Sequence, residues 1–345
     1  MNTIEAIKKN NLIFITSQPD TPYFHWQVKL YLHNFTKYGI KDHCYALFGY
    51  RDQPSQTIKD LSKKYNIRWY KDTHEQRTYV PNIRPLLLKK FFKENPELGK
   101  NVFYHDSDIL FTKLPKFELL LGDDTCYLSD TVSYIGYKYI RDKCREYKKI
   151  YDSLGDDDLF LKMCDIVNIN PQIVKDNNYV SGGAQCLLKN IDYNYWDQCE
   201  KDNKNLYDFL CKYCIEYKME HEIQKWTASM WGELWNLWKL KKETKLNIEL
   251  DFTQATDHIE TCKICNILHM NGVTDKNNHN HFHKYKYHDK DIFQEYLKDK
   301  TIFDHVDPNN ASYYYVKEIK DYASNIQSGG KRRKKKKTKK KKRKN

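Results

Sequence analysis

The segment Val102-Phe103-Tyr104-His105-Asp106-Ser107-Asp108-Ile109-Leu110-Phe111 sets two short apolar runs on either side of a pair of carboxylates. The first run has the length and bulk of a buried strand, and Asp106 and Asp108 fall at its carboxyl end. Upstream the chain alternates. Leu12–Thr16, His43–Phe48 and Ile67–Tyr70 read as strands. Trp26–Tyr38 reads as a helix with Val28, Tyr31, Leu32 and Phe35 on one face and Gly39 at its end. Gln56–Tyr65 repeats the pattern, and Pro85–Glu94 puts a proline in its first turn with Leu87, Leu88, Phe91 and Phe92 aligned. Strands and helices in strict alternation imply an α/β fold with a mostly parallel sheet flanked by helices, whose ligands bind at the carboxyl ends of the strands.

Further along, Thr125–Leu128, Gln185–Leu188 and Ile264–Met270 read as strands, and Glu222–Leu240 as a helix bearing Trp226, Trp231, Trp235 and Trp238. No linker interrupts residues 1–325, so a single domain is expected, followed by a disordered basic tail over residues 326–345. The 15 residues Lys331–Asn345 carry 13 of the chain's 59 Lys and Arg, leaving the rest balanced in acids and bases. The net charge of +13 therefore belongs to the tail, and charge does not support a basic nucleic-acid-binding core. Hydrophobic residues at 40%, with 28 Tyr and 7 Trp, suffice for a core. No apolar run approaches the roughly 18 residues of a membrane helix. The run Leu12–Ile15 is too short for a signal peptide, so a cytoplasmic protein with largely reduced cysteines is expected.

Two carboxylates at i and i+2 beyond a buried strand suit one hard divalent cation, Mn²⁺ or Mg²⁺, bridging protein to a diphosphate. The spacing recurs at Asp156/Asp158, where a helix N-terminus accounts for it, and at Asp289/Asp291, in a polar surface loop. Only Asp106/Asp108 stands between two apolar runs. A phosphatase would require Thr or Val where Leu110 stands, and a polymerase-type nucleotidyltransferase a Gly-Ser turn upstream, which Glu97-Leu98-Gly99-Lys100 does not supply. Nucleotide-sugar transfer needs only the strand, the pair and the metal.

The pair resembles the DxD motif of GT-A glycosyltransferases. Tyr179-Val180-Ser181-Gly182-Gly183-Ala184-Gln185-Cys186-Leu187-Leu188-Lys189-Asn190 resembles the small-residue stretch of the glycogenin and lipopolysaccharide galactosyltransferase families, where such residues let a sugar approach the backbone. His269-Met270-Asn271-Gly272 resembles their downstream His motif, whose histidine completes the metal site. The run from Pro81 to Phe111 is also similar to sparsely described bacterial and viral glycosyltransferases, and the basic tail resembles the C-termini of many large-DNA-virus proteins. The sequence departs from the pattern at Gly183 and Ala184, where the families carry Gly-Val, and in lacking Lys-Pro-Trp after the histidine; Lys276 or Lys284 takes the lysine's place.

The resemblance implies a metal-dependent transfer of a hexosyl or pentosyl group from a nucleoside-diphosphate sugar, a UDP-sugar in the first instance, to a glycan, protein or lipid acceptor, with retention of configuration. It implies a metal held by Asp106, Asp108 and His269, and a base pocket near Thr16, Ser17 and Gln18. The donor would meet Gly182, Gly183, Ala184, Gln185 and Lys284. Glu222 and Gln224 are candidates for contact with donor or acceptor. Arg84 either reaches the diphosphate or holds the aspartate pair; Asp130 either binds sugar hydroxyls or caps a helix. The competing reading is a catalytically degenerate fold acting through its polybasic tail as a nucleic-acid- or virion-binding protein, the tail attracting RNA, DNA or anionic lipid. The pairs Cys211/Cys214 and Cys262/Cys265 are read as packing residues before zinc ligands.

Overall fold

The computed structural model describes residues 2–75, 78–151, 153–218 and 221–341. Among the described residues ten strands run in chain order: β1 (Ile13–Pro19), β2 (Cys44–Tyr50), β3 (Asn66–Lys71), β4 (Asn101–Tyr104), β5 (Ile109–Phe111), β6 (Cys126–Asp130), β7 (Gly182–Lys189), β8 (Thr244–Leu246), β9 (Phe252–Gln254) and β10 (Ile267–His269). They fall into two compact units, each built from three stretches of chain.

The first unit comprises residues 1–20, 42–107 and 114–251. It holds a seven-stranded sheet in the order β3-β2-β1-β4-β7-β6-β8. The pairs β1–β2, β2–β3, β1–β4 and β6–β8 are parallel, whereas β7 runs antiparallel to both β4 and β6. The mostly parallel α/β sheet read from the alternation is present. The reversed β7 is an addition, since hydrophobic runs carry no information on strand direction. In β1 all seven residues are buried, as expected for a strand covered on both faces. The order 3-2-1-4 reverses direction at β1, so a topological switch point opens beyond the carboxyl ends of β1 and β4, the place where doubly wound sheets bind ligands.

Helix Ile83–Glu94 packs Leu87, Leu88, Phe91 and Phe92 into this unit's core, joined by Trp196, Trp231 and Trp235 from helices Tyr193–Tyr217 and Ala228–Lys239. The latter helix starts six residues after the predicted Glu222. Trp226 therefore lies before it and is 66% exposed, whereas Trp231, Trp235 and Trp238 are buried. Of residues 156–158, only Asp158 lies in the first turn of helix Asp158–Val167, as expected; Asp157, at the N-cap position, makes no side-chain capping bond and pairs with Lys175, and Asp156 pairs with Arg145 and Lys148.

The second unit comprises residues 21–41, 108–113 and 252–345. Its sheet has the order β5-β10-β9, with β10 antiparallel to β5 and parallel to β9. Helix Pro22–Lys37 and the long helix Ser312–Lys341 flank it. Lys37 ion-pairs with Glu318 at 2.9 Å and Asp321 at 2.8 Å, tying the two helices. Asp291 caps helix Ile292–Lys298 and pairs with Lys29 at 2.8 Å. The end of the basic run, residues 342–345, lies outside the described residues. No described helix is long and apolar enough to cross a membrane.

Candidate functional site

The end of β4 lies in the first unit. Asp106 follows it and accepts from the Arg84 guanidinium, Nη2 to Oδ1 at 2.7 Å. Arg84 stands in the first turn of Ile83–Glu94, and Ser17 Oγ donates to its carbonyl at 3.2 Å, fixing that turn to the end of β1. Burial works against the Arg84 charge, but Asp106, with Tyr104 and Glu233, more than offsets it and raises its pKa.

Glu233 went unread in the sequence. It sits on helix Ala228–Lys239 between Trp231 and Trp235, its Oε1 buried without a hydrogen-bond partner. Burial pushes its carboxyl up to about 8, with Arg84 and the buried Asn203 pulling the other way and Asp106 reinforcing the rise. The signal available was a lone acid on the apolar face of a tryptophan-rich helix.

The other donor-side residues of this unit are placed as follows. Thr16, Ser17 and Gln18 are buried at the end of β1. The Thr16 hydroxyl donates to Gln18 Oε1 at 3.0 Å, and Gln18 Nε2 donates to the Leu47 carbonyl at 2.8 Å. Asp130 is exposed and accepts from the Val132 amide at 3.0 Å, at the start of helix Val132–Ile135. The stretch Ser181–Gln185 carries a β-bulge, the pairing with β6 shifting between Leu128 and Ser129. At the bulge Ala184 has φ +63°, a left-handed conformation unusual for a residue with a Cβ. A Cβ at Gly182 would lie 2.4 Å from Leu128 Cβ, and one at Gly183 2.6 Å from Met230 Cε. The small residue is thus required by close packing at Gly182, whereas at Gly183 the contact is with the flexible end of Met230. Glu222 and Gln224 are exposed; Glu222 pairs with Lys225, and the Gln224 amide donates to the Tyr139 hydroxyl at 3.1 Å.

Asp108, His269 and Lys284 lie in the second unit. Asp108 immediately precedes β5. The ladder pairs His269 with Ile109, and the Met270 amide donates to the Asp108 carbonyl at 3.2 Å. This register brings His269 Nε2 to 3.5 Å from Asp108 Oδ1. Phe252 on β9 packs edge-on to the His269 ring at 5.3 Å. Lys284 Nζ ion-pairs with Asp108 Oδ2. Burial of Asp108, which is 4% exposed, would raise its pKa, but Lys284 and His269 outweigh it and hold the carboxyl well below the usual carboxylate range. Tyr23, in the first turn of Pro22–Lys37, lies within the field of Lys284 and Asp108 and is raised chiefly by burial. Asp108 is therefore an ionised acceptor beside a histidine nitrogen and the Lys284 ammonium. An oxygen anion and an imidazole nitrogen so placed are the donor types that Mn²⁺ accepts.

The four CxxC cysteines separate by environment. Cys214 and Cys262 are buried and Cys211 and Cys265 partly so; burial raises the Cys214 thiol and pushes that of Cys262 up to about 11.

No family model and no curated protein matches the chain. Among solved structures it is similar to the WbbM bifunctional glycosyltransferase, at 11% identity and TM-score 0.37 over 76% of this chain and 46% of that one. It is similar to the glycosyltransferase GlyE of Streptococcus pneumoniae TIGR4, at 11% identity and TM-score 0.33 over 68% of this chain and 45% of that one. It is similar to the galactosyltransferase LgtC, solved with donor and acceptor sugar analogs, at 11% identity and TM-score 0.35 over 75% of this chain and 87% of that one. The chain spans less than half the length of WbbM and of GlyE.

Proposed function

We propose that the chain is a GT-A-like glycosyltransferase that moves a sugar from a nucleoside diphosphate, a UDP-sugar first, to an acceptor, with retention of configuration, and that it uses Mn²⁺ or Mg²⁺. The observation that carries this reading is Asp108, an ionised, buried carboxylate gripped by His269 and Lys284 at the start of β5. Asp106, two residues upstream, is close enough by chain length alone to act as a third ligand. Asp106, Asp108 and His269 would hold the ion, which when bound neutralises charge on a leaving diphosphate.

The chain's own groups have separate tasks in this reading. Arg84 fixes Asp106 in one orientation through the 2.7 Å pair, so the carboxylate meets a donor already aimed. Lys284 carries a mobile charge able to leave Asp108 for a diphosphate oxygen. The buried ends of β1 and β4 exclude water from the switch point where the nucleotide would lie. The bulge at Ala184 turns the backbone of β7 beside the donor.

Manganese binding tests the reading. Titration of the full chain with Mn²⁺, followed by electron paramagnetic resonance of the free ion, should give one tight site. Asp108→Ala and His269→Ala should each weaken it by about tenfold or more. Unchanged Mn²⁺ binding in both variants would refute it.

A further inference from the structure

We propose that a cleft of about 480 Å³ beside β8, wholly within the first unit, is a second binding site and takes an anionic saccharide. Among the residues lining it are Tyr179, Trp238, Lys241, Lys242, Thr244 and Lys245. Its size falls in the range of small-molecule sites. Tyr179, in the turn Asn178–Val180, is 82% exposed, so its ring does no packing work in the core. Trp238 is only 4% exposed and is locked by its indole N–H donating to Thr244 Oγ1 at 2.9 Å. Lys245 is neutralised by Glu243 at 2.7 Å and Asp176, also in the lining, accepts from Gln172 Nε2 at 2.7 Å, whereas among the described residues Lys241 and Lys242 have no ion-pair partner.

The cleft thus offers a free aromatic face, a rigid floor and two uncommitted ammonium groups. A pyranose ring has an apolar C–H face that matches the first, and a carboxylate or phosphate on the sugar matches the last. A neutral sugar would leave the cations unused, and a small inorganic anion would leave Tyr179 unused.

The position of Lys241 supplies a clean test. Helix Ala228–Lys239 is closed by Lys241 N–H donating to the Trp238 carbonyl at 2.9 Å and Lys242 N–H to the Leu237 carbonyl at 3.0 Å. Lys241 has φ +56° in this closure, a position glycine ordinarily fills. Lys241→Gly therefore deletes the cation while relaxing the backbone, so lost binding cannot be ascribed to unfolding.

Isothermal titration of the full chain with trigalacturonate, with maltotriose and with inorganic phosphate tests the proposal, and it requires no turnover. Trigalacturonate should bind, and maltotriose and phosphate about tenfold more weakly or not at all. Tyr179→Ala and Lys241→Gly/Lys242→Gln should each weaken trigalacturonate by about tenfold, with Lys241→Gly melting no lower than wild type. No trigalacturonate binding overturns the proposal. So does equal binding by wild type and the lysine double variant, which would assign it to the basic run 331–345. Equal binding by Tyr179→Ala, or phosphate as strong as trigalacturonate, also overturns it by reducing the cleft to a plain anion site.

Discussion

At the residue scale, the two carboxylates of the Asp-Ser-Asp motif differ in environment. Asp108 is held ionised because Lys284 and His269 overcome its burial. Glu233 is the opposite case, a carboxyl kept protonated by burial up to about pH 8. The folded state holds the Glu233 proton at pH values where the unfolded chain has released it. Its contribution to stability is therefore full below about pH 4.5 and is lost as pH rises towards 8, levelling beyond. Glu233→Gln removes this loss. Thermal melts from pH 5 to 9 should show the variant gaining on wild type up to about pH 8 and the gap then holding. A constant offset at all pH values would mean that Glu233 does not titrate there. Asp106 and Asp108 were legible in the sequence because a pair of acids wedged between two apolar runs costs burial energy that only a bound cation or a paired base offsets. Glu233 was not, because its partners Arg84 and Asn203 come from helices far away in sequence.

At the element scale, the decisive local feature is the bulge in β7. Ala184 at φ +63° carries strain that glycine would not. Ala184→Gly should raise stability by about 0.5–1 kcal/mol, measured by urea unfolding, the gain being limited by the greater chain entropy of glycine. Gly182→Ala should do the reverse, losing about 1–3 kcal/mol. Its new methyl would sit 2.4 Å from Leu128 Cβ and 2.7 Å from the Ser129 carbonyl, neither of which is the end of a flexible side chain. A neutral Gly182→Ala would show that the strand pair is looser than this packing implies. The strands β1, β2 and β4 were readable as apolar runs, and Ile83–Glu94 from its leucine and phenylalanine spacing. The small sheet of the second unit was not readable as a sheet. Its strands are three residues each, too short to display a period, and β9, Phe252-Thr253-Gln254, has only one apolar residue. The resemblance nevertheless pointed to His269, whose approach to Asp108 is a consequence of the β5–β10 register.

At the scale of the whole molecule, the basic run and the folded units separate in charge and in packing. Helix Ser312–Lys341 buries Tyr315, Val316, Ile319 and Ala323 in its first turns, and all precede the basic run that begins at Lys331. Ending the chain after Gln327 should leave the melting temperature unchanged and abolish salt-sensitive retention on a cation exchanger. Ending it after Asn310 removes those four buried side chains and should unfold the second unit. Equal melting of the two truncations would show that the helix contributes nothing to the fold. Sugar transfer itself is read out by donor turnover. The full chain and the Asp106→Ala/Asp108→Ala variant are incubated with Mn²⁺ and a panel of UDP-, GDP- and dTDP-sugars, and released nucleotide is quantified. Release is expected from one donor, reduced at least about a hundredfold in the double variant and in excess chelator. Release that the double variant and the chelator leave untouched, or no release from any donor together with no thermal stabilisation by Mn²⁺ plus UDP, would contradict the transferase reading.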